Sequence, residues 1–255
     1  MTRSRSVFAR PAVHGDAFVT SSVRYGEKDC IVRLLLRDKG RRVAFFKNGL
    51  AARKGASTLQ APSLAKVAYV EMSDNKMPRL ISFDIEPGSY ALSLRAFAYA
   101  SYIAELIEVM VPEEEECEPI YLLAEKAVYL LSSMGAHSFI LRAFELNMLE
   151  FCGYLPDFDE IESGYNGNIF YDPIACRLIK EPVGQSFPIT NSSLKLAKTL
   201  LGGIPENAVS ENFDDLMSLG RIFHSRLRVL GIKELKSVSF LKQLSGKMAV
   251  GSGQT

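Results

Sequence analysis

The run Cys30–Lys47, CIVRLLLRDKGRRVAFFK, is two β-branched and apolar stretches hinged on Asp38-Lys39-Gly40. A short polar turn closed by glycine between two such stretches is the pattern of a β-hairpin. N-terminal to it, Ala17–Val23 (AFVTSSV) is equally strand-like, and Tyr25–Asp29 (YGEKD) reads as the turn leading into Cys30. C-terminal to it, Leu64–Met72 and Leu80–Ile85 are further candidates. Five short strands between Asp16 and Glu86 predict a small closed or nearly closed barrel.

Beyond Pro87-Gly88 the apolar period changes from about 2 to about 3.6 residues. Leu94, Phe97, Ala98, Tyr102, Leu106 and Val109 share one helical face, and Pro112 ends that helix. A second helix runs from Pro119 through Leu123, Ala127, Leu130 and Met134 to Gly135. The third, Ser138–Cys152, is apolar on more than one side, so it is predicted at the centre of a helical domain. Pro112–Glu118 carries five glutamates and reads as a solvated loop. Residues 154–188 lose helical periodicity, with Asn168–Tyr171 and Cys176–Ile179 as a small hairpin. Helices resume at Ser192–Leu201 and from Ser210 or Glu211 to Leu230. In the latter, Ser210 is the candidate N-cap, and Phe213, Leu216, Met217, Gly220, Phe223, Leu227 and Leu230 are the expected buried stripe. A short helix over Val238–Leu244 precedes a small, polar tail. The fold class is α+β, with a barrel domain over 1–86, a helical domain over 87–245 holding the irregular insertion at 154–188, and a flexible tail over 246–255.

With 255 residues, 47% of them hydrophobic, the chain has enough apolar material for two domains. No apolar run approaches the roughly 20 residues of a spanning helix, and Val7-Phe8-Ala9 is too short for a signal-peptide core. A cytoplasmic location without membrane attachment is expected. Cys30, Cys117, Cys152 and Cys176 and the histidines His14, His137 and His224 are scattered, without the paired spacing of a zinc site or a disulfide framework. No cofactor is expected.

Charge is sorted by position. Residues 1–82 hold 16 Lys and Arg against 6 Asp and Glu, residues 83–182 hold 5 against 18, and residues 183–255 hold 9 against 5, so a net charge of +1 hides segments of +10, −13 and +4. Such sorting increases repulsion within each segment and points to the partners each one meets. No phosphate-binding glycine loop, nucleophile elbow or H-E-x-x-H occurs, and Glu105, Glu108, Glu145 and Glu150 have the spacing of exposed or rim positions. The sequence gives no support to an enzyme. Arg33, Arg37, Lys39, Arg41, Arg42, Lys47, Arg53, Lys54 and Lys66 instead cluster on and around the hairpin, interleaved with Phe45 and Phe46. Cations that track phosphates and rings that stack on bases are what a single-strand-binding barrel needs. Alternation sends one of the two phenylalanines into the core. Phe46 is assigned to the DNA-binding set.

The order of motifs resembles the bacterial recombination mediator family RecO over most of the chain. Tyr25–Asp29 is similar to its Y-x-E-x-D turn, Lys47–Gln60 to its K-G-A-R…S…L-Q loop, Arg142–Leu146 with Leu149–Asp157 to R-x-F-E-L…L-L…G-Y-x-P, and Leu230–Leu241 to L-G…L-K-S…F. The resemblance implies an N-terminal OB-fold and a nucleoid-associated, non-enzymatic DNA-repair mediator. Such a protein binds single- and double-stranded DNA, anneals complementary strands, and with RecR helps load RecA on DNA coated by single-stranded-DNA-binding protein. It further implies docking of that protein's acidic C-terminal tail on the helical domain. Arg142 is then the expected carboxylate receiver, with Phe144, Leu146 and Lys236 beside it, unless Arg142 pairs internally with Glu145 or Glu105. Many members carry a four-cysteine zinc module after G-Y-x-P, but only Cys176 falls in this segment, so packing by Tyr165, Phe170, Tyr171 and Ile179 must hold it. The alternative function is a protein-interaction adaptor whose basic barrel meets an acidic protein.

Overall fold

Alternation in the N-terminal segment produces β1 (Val13–Tyr25), β2 (Asp29–Leu36), β3 (Gly40–Phe46), β4 (Ser63–Val70) and β5 (Arg79–Ile85). The structure, a computed structural model, describes residues 10–49, 59–72, 76–90, 92–161, 165–207, 212–232 and 235–251. The chain divides into one unit of residues up to Tyr90 with Glu113–Tyr121, and a second of Ala91–Pro112 with Leu122–Thr255.

In the first unit the strands close into a barrel of order β1-β2-β3-β5-β4, an OB-like arrangement. Every neighbouring pair is antiparallel except β3 and β5, which close the barrel in parallel. The long β1 pairs with β4 through Val13–Val19 and with β2 through Ala17–Tyr25, and its register shifts between Val19 and Ser21. A shift of this kind bends and twists a strand, which lets one segment serve two neighbours around a tight closure. Val19, Val32, Leu34, Ala44, Phe46, Val67, Tyr69 and Leu80 fill the interior. Phe46 meets Phe83 edge to face at 5.6 Å.

The second unit contains α1 (Leu94–Met110), α2 (Glu118–Ser133, which begins in the first), α3 (Ser138–Phe151), α4 (Asn191–Leu200), α5 (Phe213–Val229) and α6 (Lys236–Gly251). Between α3 and α4 lies a small sheet of β6 (Ile169–Asp172), β7 (Arg177–Ile179) and β8 (Phe187–Ile189), in the order β7-β6-β8. As its apolar circumference requires, α3 is central, packing against α1, α4 and α5. Ser93 caps α1 by accepting from the Ala96 amide, and Thr190 caps α4 by accepting from the Ser193 amide. Among the described residues, no helix is long and apolar enough to cross a membrane.

Several expectations change. The buried face of α1 carries Ala96, Tyr99, Tyr102, Ile103, Leu106 and Ile107, while Leu94, Phe97 and Val109 are exposed. That helix is apolar on most sides, so its period alone did not pick the face. In α5, Phe213 and Met217 are likewise exposed. Its cap is Asn212, accepting from the Asp214 amide, and Ser210 lies outside the described residues. Helix α6 continues to Gly251, through the first part of the expected tail. The third strand of the small sheet, Phe187-Pro188-Ile189, was not anticipated, because a proline at the centre of three residues argues against a strand unless it lies on an edge.

Loss of the Phe46 ring removes a buried aromatic from a closed core. Phe46→Ala should therefore lower unfolding stability by about 3–5 kcal/mol in a urea titration, whereas Leu94→Ala on the exposed face of α1 should change it by no more than about 0.5 kcal/mol.

Candidate nucleic-acid interface and partner pocket

With Val32, Leu34, Ala44 and Phe46 inside, the opposite phase of the hairpin faces out. Cross-strand register then sets Val23, Ile31, Phe45 and Arg79 in one row across β1, β2, β3 and β5. The neighbouring row holds Ser21, Arg33 and Val43. At the end of β1, Tyr25 is 57% exposed and stands edge-on to Phe45 at 6.0 Å. Two aromatic rings on a shallow strand surface, beside Arg33, Arg79 and the exposed Lys47, form a surface that can stack bases and contact phosphates. Asp29 fixes the adjoining turn by accepting the Asn48 amide at 2.7 Å.

The expected DNA-binding residues divide into groups. Arg33 donates to the Ser21 hydroxyl at 3.2 Å, and Lys39 and Lys47 are exposed at the two ends of β3. Arg41 pairs with Glu113 at 3.7 Å, and Arg37 with Glu118 at 2.9 Å. Arg42 shares the inward phase of Phe46, but pairing of β3 with β5 is confined to Phe45 and Phe46, so Arg42 emerges at an open rim. There it lines a cleft of about 710 Å³ with Glu71, Met72, Lys76 and Met77. Phe46 is 6% exposed and cannot stack on a base, which corrects its assignment to the DNA-binding set. Lys66 is exposed on β4, which β5 separates from β3 on one side and β1 and β2 on the other, and bonds Asp16 at 3.0 Å, so it does not join the cluster. Arg53 and Lys54 lie outside the described residues. Tyr25 and Arg79 lie outside the expected set, and of the two phenylalanines it is Phe45, not Phe46, that stands on the outer face.

The glutamates of the 113–118 segment are exposed, as expected of a solvated loop, but the segment is also tied to the barrel. Glu113 bridges Arg41 in parallel, the Glu114 amide donates to the Arg41 carbonyl at 3.0 Å, and Cys117 is buried. Gly40, at φ +66°, makes this approach possible, since a Cβ there would stand 1.7 Å from the Glu115 carbonyl oxygen.

In the helical unit, Arg142 pairs through Nη2 with Glu145 at 2.9 Å, with its side chain 15% exposed. Its Nη1 occupies the space above Gly220, where a Cβ would come within 1.7 Å. Glu145 also accepts from the Tyr102 hydroxyl at 2.6 Å, and its Oε2 has no partner. Phe144 and Leu146 are buried in the core and present nothing to a docking peptide, which corrects their place in the expected partner site. The Lys236 side chain is exposed, while its amide and that of Ser237 donate to Glu105, which thereby caps α6.

No three His, Cys, Asp or Glu residues converge on a metal position among the described residues. Cys176 is committed elsewhere: its thiol lies 3.2 Å from the Tyr154 carbonyl oxygen and accepts from the Tyr171 hydroxyl. That donor set does not fit a tetrahedral zinc site. Ile169, Tyr171, Leu178, Phe187 and Ile189 form the buried side of the small sheet, with Arg221 over the Phe187 ring at 4.2 Å and Arg226 over Tyr154 at 5.4 Å. Of the residues expected to hold it, Tyr171 is fully buried, whereas Tyr165, Phe170 and Ile179 are partly covered.

A closed OB-like barrel with cations and aromatic rings on its outer face, joined in one chain to an α-helical unit with a small sheet, defines an α+β class of OB-type proteins. Comparison then gives the particular family. Residues 91–217 match the family model described as Recombination protein O C terminal. The DNA repair protein RecO of Myxococcus xanthus is 32% identical over 146 residues, 56% of this chain and 60% of that protein. That of Christiangramia forsetii is 24% identical over 246 residues, 92% and 99% respectively, and that of Pelotomaculum thermopropionicum is 28% identical over 176 residues, 63% and 66%. In the Myxococcus match the chain thus spans less than two thirds of its relative's length. The chain belongs to the RecO family.

Two measurements probe the helical unit. Burial raises the Glu145 carboxyl to about 7, opposed by Arg142 and the Tyr102 hydroxyl. Burial, aided by Arg142, Arg228 and Lys242, lowers the His224 imidazole to about 4. Glu145 therefore holds a proton in the folded state that the unfolded chain has lost, so its contribution is complete below about 4.5 and declines as pH rises through about 7. His224 acts in the opposite sense, contributing above about 6.5 and losing that contribution as pH falls through about 4. Glu145→Gln removes only the first effect, so in thermal melts the variant should gain on the wild type steadily between about pH 4.5 and pH 7. Excess chelator should leave the melting curve unchanged; a lower midpoint would show a metal in the small sheet.

Proposed function

We propose that this chain is a non-enzymatic DNA-repair mediator of the recombination type. The observation that carries the reading is the exposed Tyr25 standing on the half-buried Phe45, on a strand surface flanked by Arg33, Arg79 and Lys47. On it, single-stranded DNA lays bases against the rings and phosphates against the cations, and duplex DNA uses the cations alone. Holding two complementary strands on such surfaces neutralises their mutual repulsion, which favours annealing without nucleotide hydrolysis. The names of the relatives, each a DNA repair protein, support the same reading. Within it, Arg142 and the exposed Lys236 receive the acidic C-terminal tail of single-stranded-DNA-binding protein, and RecR joins in loading RecA. Because Glu145 already holds Arg142, a tail carboxylate binds at the remaining guanidinium edge or displaces that pair.

One observation favours a second reading. The barrel accepts carboxylates at Arg37 and Arg41 from its own chain, so an adaptor that binds an acidic protein there is the alternative.

The test is binding to labelled oligothymidylate and annealing of complementary strands. Wild type should bind with a log–log salt slope of roughly 0.7 per phosphate neutralised. Tyr25→Ala and Phe45→Ala should each weaken binding by about 1–3 kcal/mol. Arg33→Glu/Lys47→Glu should abolish annealing. Absence of binding at low salt, or an acidic protein that displaces DNA at physiological salt with no annealing, would overturn the mediator reading.

A further inference from the structure

Five glutamates between Glu113 and Glu118 lie beside the most basic stretch of the chain, and the contacts between them are specific. Glu113 reaches the Arg41 guanidinium and Glu118 the Arg37 guanidinium. The Glu114 amide is bonded to the Arg41 carbonyl, and Glu115 lies over Gly40. These carboxylates occupy cations at the turn end of the β2–β3 hairpin, whereas Tyr25, Phe45 and Lys47 mark the other end. A carboxylate pair on an arginine presents the same charge-assisted geometry as a phosphate. The Glu113 and Glu118 side chains are more than half exposed, and surface pairs of this kind are weak and screened by salt. Glu114 holds φ at +66°, a conformation unfavourable for a residue with a side chain.

We propose that the Glu113–Glu118 segment is an internal competitor for the phosphates of a bound strand, so that Arg37 and Arg41 contact DNA only once the segment has left them. Short strands are then confined to the Tyr25–Phe45 end of the hairpin, and strands long enough to reach the turn must displace the glutamates. This inference rests on the nucleic-acid reading above. It also predicts a specific salt signature. While a glutamate holds its arginine, the phosphate opposite keeps its condensed cation, and no counterion is released at that position. Removing the carboxylate restores the release.

The experiment compares wild type, Glu113→Gln/Glu118→Gln, a charge-matched control Glu27→Gln/Asp84→Asn, and Gly40→Ala in oligothymidylate binding across a salt series. The glutamine pair should bind about three- to tenfold more tightly, the equivalent of two surface pairs, and its salt slope should steepen by roughly 0.7 for each arginine uncovered. The control neutralises the same number of charges and should leave the slope unchanged. Gly40→Ala changes no charge, but its methyl collides with the Glu115 carbonyl, so it too should tighten binding. Circular dichroism establishes that it is folded, and if it is not, the glutamine pair decides alone. A glutamine pair that matches wild type, or a control that reproduces its slope, overturns the competitor. Failure of wild type to bind at low salt overturns the nucleic-acid reading instead.

Discussion

Phe46 packs edge to face against Phe83 inside the barrel, and because side chains alternate along a strand, that burial sends Arg41, Val43 and Phe45 outward. A one-residue slip of β3 would bury Arg41 and Phe45 and expose Phe46, at a cost far above the few kcal/mol that separate folded from unfolded chains. The candidate interface is therefore a consequence of core packing. Its rings stand where they do because the interior needs Val32, Leu34, Ala44 and Phe46 on the other side.

The helical unit solves a different problem. Glu145 sits fully buried on α3, the helix with the least room for charge, and is held by Arg142 and Tyr102 with one oxygen unpartnered. Taking an ion pair out of water costs more than it returns unless the remaining hydrogen bonds are made. Gly220 contributes by leaving space for the guanidinium. Arg142 thus has one structural obligation already, and any carboxylate ligand must share or break it.

Much of this was legible in the residues. The barrel strands, the helices α1 to α5 and the small hairpin follow from turn chemistry and period, and the internal pair of Arg142 with Glu145 was one of the two roles foreseen for that arginine. What stayed hidden has physical causes. Leu34-Leu35-Leu36 is apolar in both phases and Arg41-Arg42 is basic in both, so neither run says which phenylalanine of β3 is inward. Uniform apolarity blurred the face of α1. The docking of Glu113 on Arg41 joins residues far apart in sequence, and no local pattern records it.

The small sheet is held by packing, and Cys176 is the one cysteine of its segment. Its core is built from aromatic and aliphatic side chains, and its strand β8 carries Pro188 opposite Phe170 at the margin. Proline has no amide hydrogen to offer, so that margin is a poor template for a further strand from another molecule. The residue that argues against a strand in the sequence is also what discourages edge-to-edge growth of the finished sheet at β8.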